Sequence, residues 1–201
     1  MIKIKTGIFS GSFNPVHIGH LSLANYLCEY EGLDEVWFVI SPLNPLKLTE
    51  NLLDESKRLE LVRVAIADYP GFRVSDVELK LPRPSYTIGT LEHLRNIHPD
   101  RDFTLIIGSD NWKFFDRWKE PDRIIDQFSI LIYPRRAYPI DDSSLSSTIR
   151  AAKAPLLDIS STFIRQALAE GKDIAFFLHP ASYKIIKEEG LYQGPYLCVR
   201  E

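Results

Sequence analysis

Short runs of β-branched and aromatic residues, each too brief for a helix, set the terms for the fold of this chain. Residues 34–40 (DEVWFVI), 102–108 (DFTLIIG) and 128–134 (FSILIYP) are apolar almost throughout, as strands buried on both faces are. Residues 2–9 alternate instead, with Ile2, Ile4, Thr6 and Ile8 on one side, and a weaker strand fits 71–77. Helical patterns separate them. DESKRLELVRVAIAD (54–68) places Leu59, Val62 and Ile66 on one stripe. Residues 85–97 form a second helix, and 161–171 a third that Gly171 closes in the left-handed position after the last turn. A fourth covers 179–190, with Pro180 in its first turn. Such alternation predicts an α/β fold: a doubly wound parallel sheet with right-handed crossovers and helices on both faces.

The 201 residues suit a single domain over 1–201 with a sizeable core. Charge balance narrows the partners. A net charge of −3 leaves no broad basic surface for nucleic acid, although a small cationic pocket for an anion is compatible with it. Cys28 and Cys198 lie far apart and imply neither a disulfide framework nor a metal site. The start, MIKIKTGIF, interleaves Lys3 and Lys5 with apolar residues and lacks a signal-peptide core. No apolar run approaches the roughly 18 residues of a membrane span. The expectation is a cytoplasmic protein with no membrane partner. Two stretches read as loops, 41–51 and 138–148.

The chemistry gathers at the end of the first strand. IFSGSFNPVHIGHLSLA (8–24) breaks at Gly11-Ser12-Phe13-Asn14-Pro15 and then places two of the five histidines, His17 and His20, three residues apart. Asn14 followed by Pro15 is an N-cap and first-turn signature, which predicts a helix starting there with both imidazoles on one face. Gly11 and the backbone from Ser12 to Asn14 can bring N–H groups close to an anion at a helix N-terminus. Gly19 keeps a side chain from crowding a ligand. Two histidines without a third ligand nearby fall short of a zinc site. Neither a Walker A lysine nor a GxGxxG fingerprint is present. The pattern suits donors that stabilise charge on a phosphorus under in-line attack.

GSFNPVHIGH resembles the (T/H)xGH signature of the nucleotidyltransferase superfamily that includes class I aminoacyl-tRNA synthetases, in the form found in the nicotinate-nucleotide adenylyltransferase family. PSYTIGTL (84–91), LIIGSDNWKFFDRW (105–118), YPRRAYP (133–139), ISSTFIR (159–165) and EEGLY (188–192) have counterparts there in the same order, along nearly the whole chain. The resemblance implies a Rossmann-like sheet ordered 3-2-1-4-5. It also implies transfer of AMP from ATP to nicotinate mononucleotide, giving deamido-NAD and pyrophosphate, with Mg²⁺ accompanying ATP. A synthetase is excluded by the short chain, its acidic balance and the lack of a KMSKS-like loop. Adenylylation of nicotinamide mononucleotide or of phosphopantetheine, and a catalytically silent nucleotide sensor, remain as alternatives.

Residue by residue, the resemblance assigns catalysis to His17, His20, Arg165 and Lys47. ATP would meet Gly11, Ser12 and Phe13 with the two histidines, and Gly108 and Asp110 at the ribose. The segment Ile159, Ser160, Thr162 and Arg165 would hold the β and γ phosphates. Ser160 also reads as a plain helix cap, and Asp110 could cap a helix while binding ribose. The mononucleotide would meet Asn44 and Lys47, amides near Tyr86 and Thr87 facing the pyridine carboxylate, and the Trp118 ring; Trp118 reads equally well as core. Where the family has Pro-Pro-His-Lys, Lys47 matches while Asn44 and Leu46 depart. Arg135 and Arg136 match a paired arginine whose role stays open. The acid closest to PSYTIGT on the following helix is Glu92. Two small-molecule substrates are the expected partners, and homo-oligomerisation is left open.

Overall fold

The computed structural model describes residues 2–42, 52–141, 143 and 145–193. Its strands are β1 (Ile4–Gly11), β2 (Glu35–Ile40), β3 (Phe72–Ser75), β4 (Arg101–Gly108), β5 (Ser129–Tyr133) and β6 (Ile149–Ala151). All pair in parallel, in the order β3-β2-β1-β4-β5-β6. The expected 3-2-1-4-5 order holds, and β6 extends it beyond β5. Three residues with one buried side chain leave no apolar run to read, which is why the sequence pattern stops at five.

The helices are α1 (Ile18–Glu31), α2 (Glu55–Ala65), α3 (Val77–Lys80), α4 (Thr87–Ile97), α5 (Ser109–Trp112), α6 (Pro121–Gln127), α7 (Ser161–Ala169) and α8 (Pro180–Glu188). None of the described helices is long and apolar enough to cross a membrane. Strand alternation divides the core in two. Ile8, Trp37, Val39, Leu105, Ile107, Ile130 and Ile132 face one way, against Ile88, Leu91 and Leu94 of α4 and Ile124 of α6. Phe9, Val36, Phe38, Ile40, Ile106, Leu131 and Tyr133 face the other, against Ala24 and Leu27 of α1 and Val62 and Ala65 of α2.

Helix α2 has a second duty. Leu61 joins Ile164 and Leu168 of α7 and Ile186 of α8 in a third cluster, and the buried Ser182 hydroxyl of α8 donates to the Leu61 carbonyl at 2.8 Å. The buried positions of α2 are Arg58, Leu61, Val62 and Ala65. Ile66, just past its end, is buried as the stripe predicts, but Leu59 is only partly covered. The position that pattern reading passes over is Arg58, a cation inside the packed face.

At the amino end of the sheet, Glu35 of β2 accepts from the Thr6 hydroxyl, Arg73 Nε and Arg101 Nε, each at 2.8 Å. Burial pushes this carboxyl up. The hydrogen bonds from Thr6 and Arg101, with the Arg101 and Arg73 charges, outweigh that and hold it below its ordinary range. A depressed folded value stabilises the fold above the unfolded carboxyl range, and that stability fades as pH falls through the folded value. Glu35→Gln should therefore cost about 1.5–3 kcal/mol at neutral pH, the range for hydrogen bonds to charged groups. In urea titrations the gap to the wild type should narrow steadily below about pH 4.5. A gap that stays constant with pH would show the charge of Glu35 to be irrelevant.

Candidate active site at the carboxyl end of the sheet

Connections leave β1 and β4 toward opposite sides, and the carboxyl ends of those neighbouring strands form the crevice where doubly wound sheets bind ligands. The loop from Gly11 to His17 crosses it. Its carbonyls are claimed by other elements: Gly11 O accepts the Ser41 N–H at 3.0 Å, Ser12 O an Arg58 Nη1 donor at 2.5 Å, Asn14 O the Arg165 Nη1 donor at 2.9 Å, and Pro15 O the Ser161 hydroxyl at 3.0 Å. Phe13 sits at φ +44°, a left-handed conformation that costs a bulky residue about 1–3 kcal/mol. Its buried ring offsets this by packing edge-on to Phe9 at 5.4 Å and to His20 at 5.1 Å.

The expected N-cap is displaced. Asn14 Oδ1 is occupied by the Tyr192 hydroxyl at 3.0 Å and the Leu53 N–H at 3.3 Å, so it does not cap α1. His17 takes the cap position in extended backbone, its carbonyl accepting the N–H groups of His20 and Leu21. The His17 N–H in turn donates to His20 Nδ1 at 3.3 Å. That bond fixes the His20 tautomer, leaving its proton on Nε2. The two rings stack with centroids 3.7 Å apart. Gly19 serves this stack, because a Cβ there would lie 3.0 Å from His17 Nδ1 and 3.6 Å from Ile159 Cβ. The glycine thus makes room for the imidazole itself, rather than for a ligand alone.

An open cleft runs from Phe9 and the start of α1, past Tyr133–Arg136 after β5, to Ala154–Ile159. His17, His20 and Ile159 line it, as does Arg135, which sequence pattern left unassigned. The Arg135 guanidinium lies 5.0 Å over the Tyr133 ring, donates to the Tyr133 hydroxyl at 3.2 Å, and approaches Asp110 Oδ1 at 3.8 Å. Gly108 permits that approach: a Cβ there would meet Asp110 Oδ1 at 2.2 Å. His17 Nδ1, Asp110 Oδ1 and Arg135 Nε are buried, and no described group hydrogen-bonds to them. Arg136 is exposed, 3.8 Å from Asp158. Burial holds the His17 imidazole down to about 3, helped by the Arg135 charge. Burial, then His17 and Arg135, hold His20 well below the ordinary histidine range.

Helix α7 docks beside this loop. Ser160 is its N-cap, accepting the Phe163 N–H at 3.1 Å, so the plain-cap reading holds for that hydroxyl. Arg165 reaches back from α7 to Asn14 O and donates to the Thr162 hydroxyl at 3.3 Å. On the opposite face of the sheet, Tyr86 and Thr87 sit at the N-terminus of α4, tied to β1 through a buried acid that sequence reading missed. Glu78 Oε1 accepts from Ser10 of β1 at 3.0 Å and from Thr90 of α4 at 3.3 Å, and burial raises its carboxyl. Glu92, the acid expected to lie closest, is paired with Arg123 instead. Trp118 is half-buried and packs on Phe115 at 5.1 Å, outside the lining of the cleft. Asn44, Leu46 and Lys47 lie outside the described residues.

A family model described as cytidylyltransferase-like matches residues 8–167. A protein of Bacteroides fragilis named "Probable nicotinate-nucleotide adenylyltransferase" is 60% identical over 98% of this chain and 99% of its own length. One of the same name from Flavobacterium johnsoniae is 41% identical over 94% of this chain and 100% of its own. The solved Plasmodium falciparum nicotinic acid mononucleotide adenylyltransferase complexed with NaAD shares the fold, with a TM-score of 0.77 at 22% identity, covering 94% of this chain and 97% of that one.

Because both imidazoles are held neutral, their ring-proton NMR shifts should stay flat from pH 8 to pH 5 in the unliganded protein. Arg135→Met should raise both values, since it removes a neighbouring positive charge. A wild-type titration centred near 6.5 at either ring would contradict the burial described above.

Proposed function

This chain belongs to the nicotinate-nucleotide adenylyltransferase family, and from that premise we propose that it joins ATP and nicotinate mononucleotide into deamido-NAD with release of pyrophosphate. The observation that carries the reading is the gathering of His17, His20, Arg135 and Ile159 along one cleft, with His17 Nδ1 buried there and hydrogen-bonded by no described residue. Buried polar groups left open in this way are suited to a polar ligand.

A phosphate oxygen of the mononucleotide attacks the α-phosphorus of ATP. A P–O bond forms there as the bond to the bridging oxygen of pyrophosphate breaks, and both electrons of that bond leave with pyrophosphate. The attacking phosphate is largely ionised near neutral pH, so no strong base is required. His20, neutral with its proton on Nε2, and the neutral His17 stacked on it each donate to the oxygens of the five-coordinate phosphorus. Stabilising charge where it develops is the main catalytic term in such a step. Arg165 and Arg135, with Lys47, take up the charge on the departing pyrophosphate. Asp110 accepts from the ribose, and Gly11, Ser12, Phe13 and the α7 start, Ile159 to Thr162, surround the phosphates. The α4 N-terminus at Tyr86 and Thr87 receives the pyridine carboxylate, with Trp118 toward the ring.

Among the described residues no group of three or more His, Cys, Asp and Glu side chains converges as a metal cage. Mg²⁺ would accompany ATP as part of the substrate and supply neutralisation of triphosphate charge.

The test is pyrophosphate release from Mg-ATP with a panel of acceptors: nicotinate mononucleotide, nicotinamide mononucleotide and phosphopantetheine. The acid should exceed the amide by roughly 10²-fold or more in kcat/KM, because a site of N–H donors leaves the amide NH₂ without an acceptor. Equal efficiencies would sink the deamido assignment, and no release with any acceptor would sink the enzyme. His17→Ala and His20→Ala should each lower turnover on the order of 10²-fold, the usual loss for one transition-state donor, with a smaller effect on ATP binding. Near-normal turnover in either variant removes that histidine from the mechanism.

A further inference from the structure

Arg58 lies fully buried on α2, far from any expected role, and makes no ion pair with a described residue. Its guanidinium is spent entirely on backbone carbonyls. Nε donates to Leu53 O at 2.9 Å, Nη1 to Ser12 O at 2.5 Å and Ser41 O at 3.0 Å, and Nη2 to Pro42 O at 3.4 Å. These carbonyls belong to the loop after β1, the end of β2 and the residues leading into α2. Resting on the adenylyltransferase reading, we infer that Arg58 is a positioning residue for the phosphate loop: by drawing Ser12 O inward, it turns the Phe13 N–H outward to meet a phosphate oxygen.

The step follows from peptide planarity. In a trans peptide the carbonyl and the following N–H point in opposite directions, so fixing Ser12 O on α2 aims the Phe13 N–H away from α2. No described backbone or side-chain group accepts that N–H. A carbonyl that accepts from a cation also polarises its own peptide, making the N–H a stronger donor toward an anion. Phe13 is the residue at φ +44°, so this peptide has to be held by its surroundings. The buried ring holds one side of it and Arg58 the other.

Lysine tests the geometry while keeping the charge, because one ammonium cannot fan its donors to four carbonyls on three segments. Arg58→Lys should lower kcat at saturating substrates on the order of 10-fold or more, the scale on which displacement of a positioned group acts, with a smaller change in KM for the mononucleotide. Ser182→Ala controls for loss of stability on the same helix: it removes the bond to Leu61 O, away from the loop, and should lower Tm with kcat intact. An Arg58→Lys enzyme with kcat within twofold of the wild type overturns the inference, as does a Ser182→Ala enzyme with the same kcat loss at the same Tm. The wild type offers a second test that does not depend on the variant folding. Adding Mg-ATP should move the Phe13 amide proton resonance downfield, and an unmoved resonance at saturation also overturns the inference. Wild-type pyrophosphate release is read in the same assay, so a failure of the adenylyltransferase reading is told apart from a failure of Arg58.

Discussion

The loop between β1 and α1 works because its carbonyls are taken. Gly11, Ser12, Asn14 and Pro15 each direct C=O at a donor from another element, and those donors come from the end of β2, from α2 and from α7. With one polar edge of the loop committed inward, the other edge is left to face the crevice. This is how a loop with a single glycine before its two histidines can serve an anion. A phosphate loop built from several glycines shapes itself through backbone freedom, whereas this one is shaped from outside, at the cost of a strained Phe13.

That dependence explains why the C-terminal elements are bound to the site. Arg165 and Ser161 of α7 reach Asn14 O and Pro15 O, and the Tyr192 hydroxyl reaches Asn14 Oδ1. The same elements share the third core cluster with Leu61 of α2, whose neighbour on the buried face is Arg58. The C-terminal elements therefore bear on the loop directly, through Asn14 and Pro15, while the third cluster anchors them to the body of the fold. The electrostatics follow the same economy. A chain of net charge −3 concentrates Arg135, Arg58 and Arg165 around one loop, while burial keeps the two histidines there uncharged. In the proposed reaction the cations attract the triphosphate, and neutral N–H groups donate to the oxygens on the phosphorus without disturbing the charge balance.

The fold was legible wherever apolar runs were long. β2, β4 and β5 each coincide with such a run and β1 overlaps the alternating stretch 2–9, while the 3.6-residue patterns located α2, α4, α7 and α8 to within about three residues. What escaped was decided by tertiary partners. Asn14 looks like an N-cap until Tyr192, 178 positions away, occupies its oxygen and the cap passes to His17. Glu78 sits between a weak strand and PSYTIGT, and nothing local shows that Ser10 and Thr90 will close on it. Arg58 alone left a trace: it stands i−3, i−4 and i−7 from Leu61, Val62 and Ala65, a cation at a core position of an amphipathic helix. A charge at such a position has to find partners in the interior.

Strand alternation also explains how one loop can serve two substrates. Along β1, Ile8 and Ser10 turn toward the face carrying α3 and α4, while Phe9 turns toward the face carrying α1. Ser10 is thereby joined through Glu78 to α4, the proposed pyridine side, while Phe9 lines the cleft with His20 and Arg135, the proposed ATP side. In-line displacement needs the attacking and leaving oxygens on opposite sides of phosphorus. A crevice fed from the two faces of a single strand brings its reactants from opposite directions to the point where that strand ends. Here that point is Gly11, and in the proposed reaction the loop that begins beyond it carries the donors for the phosphate oxygens between them.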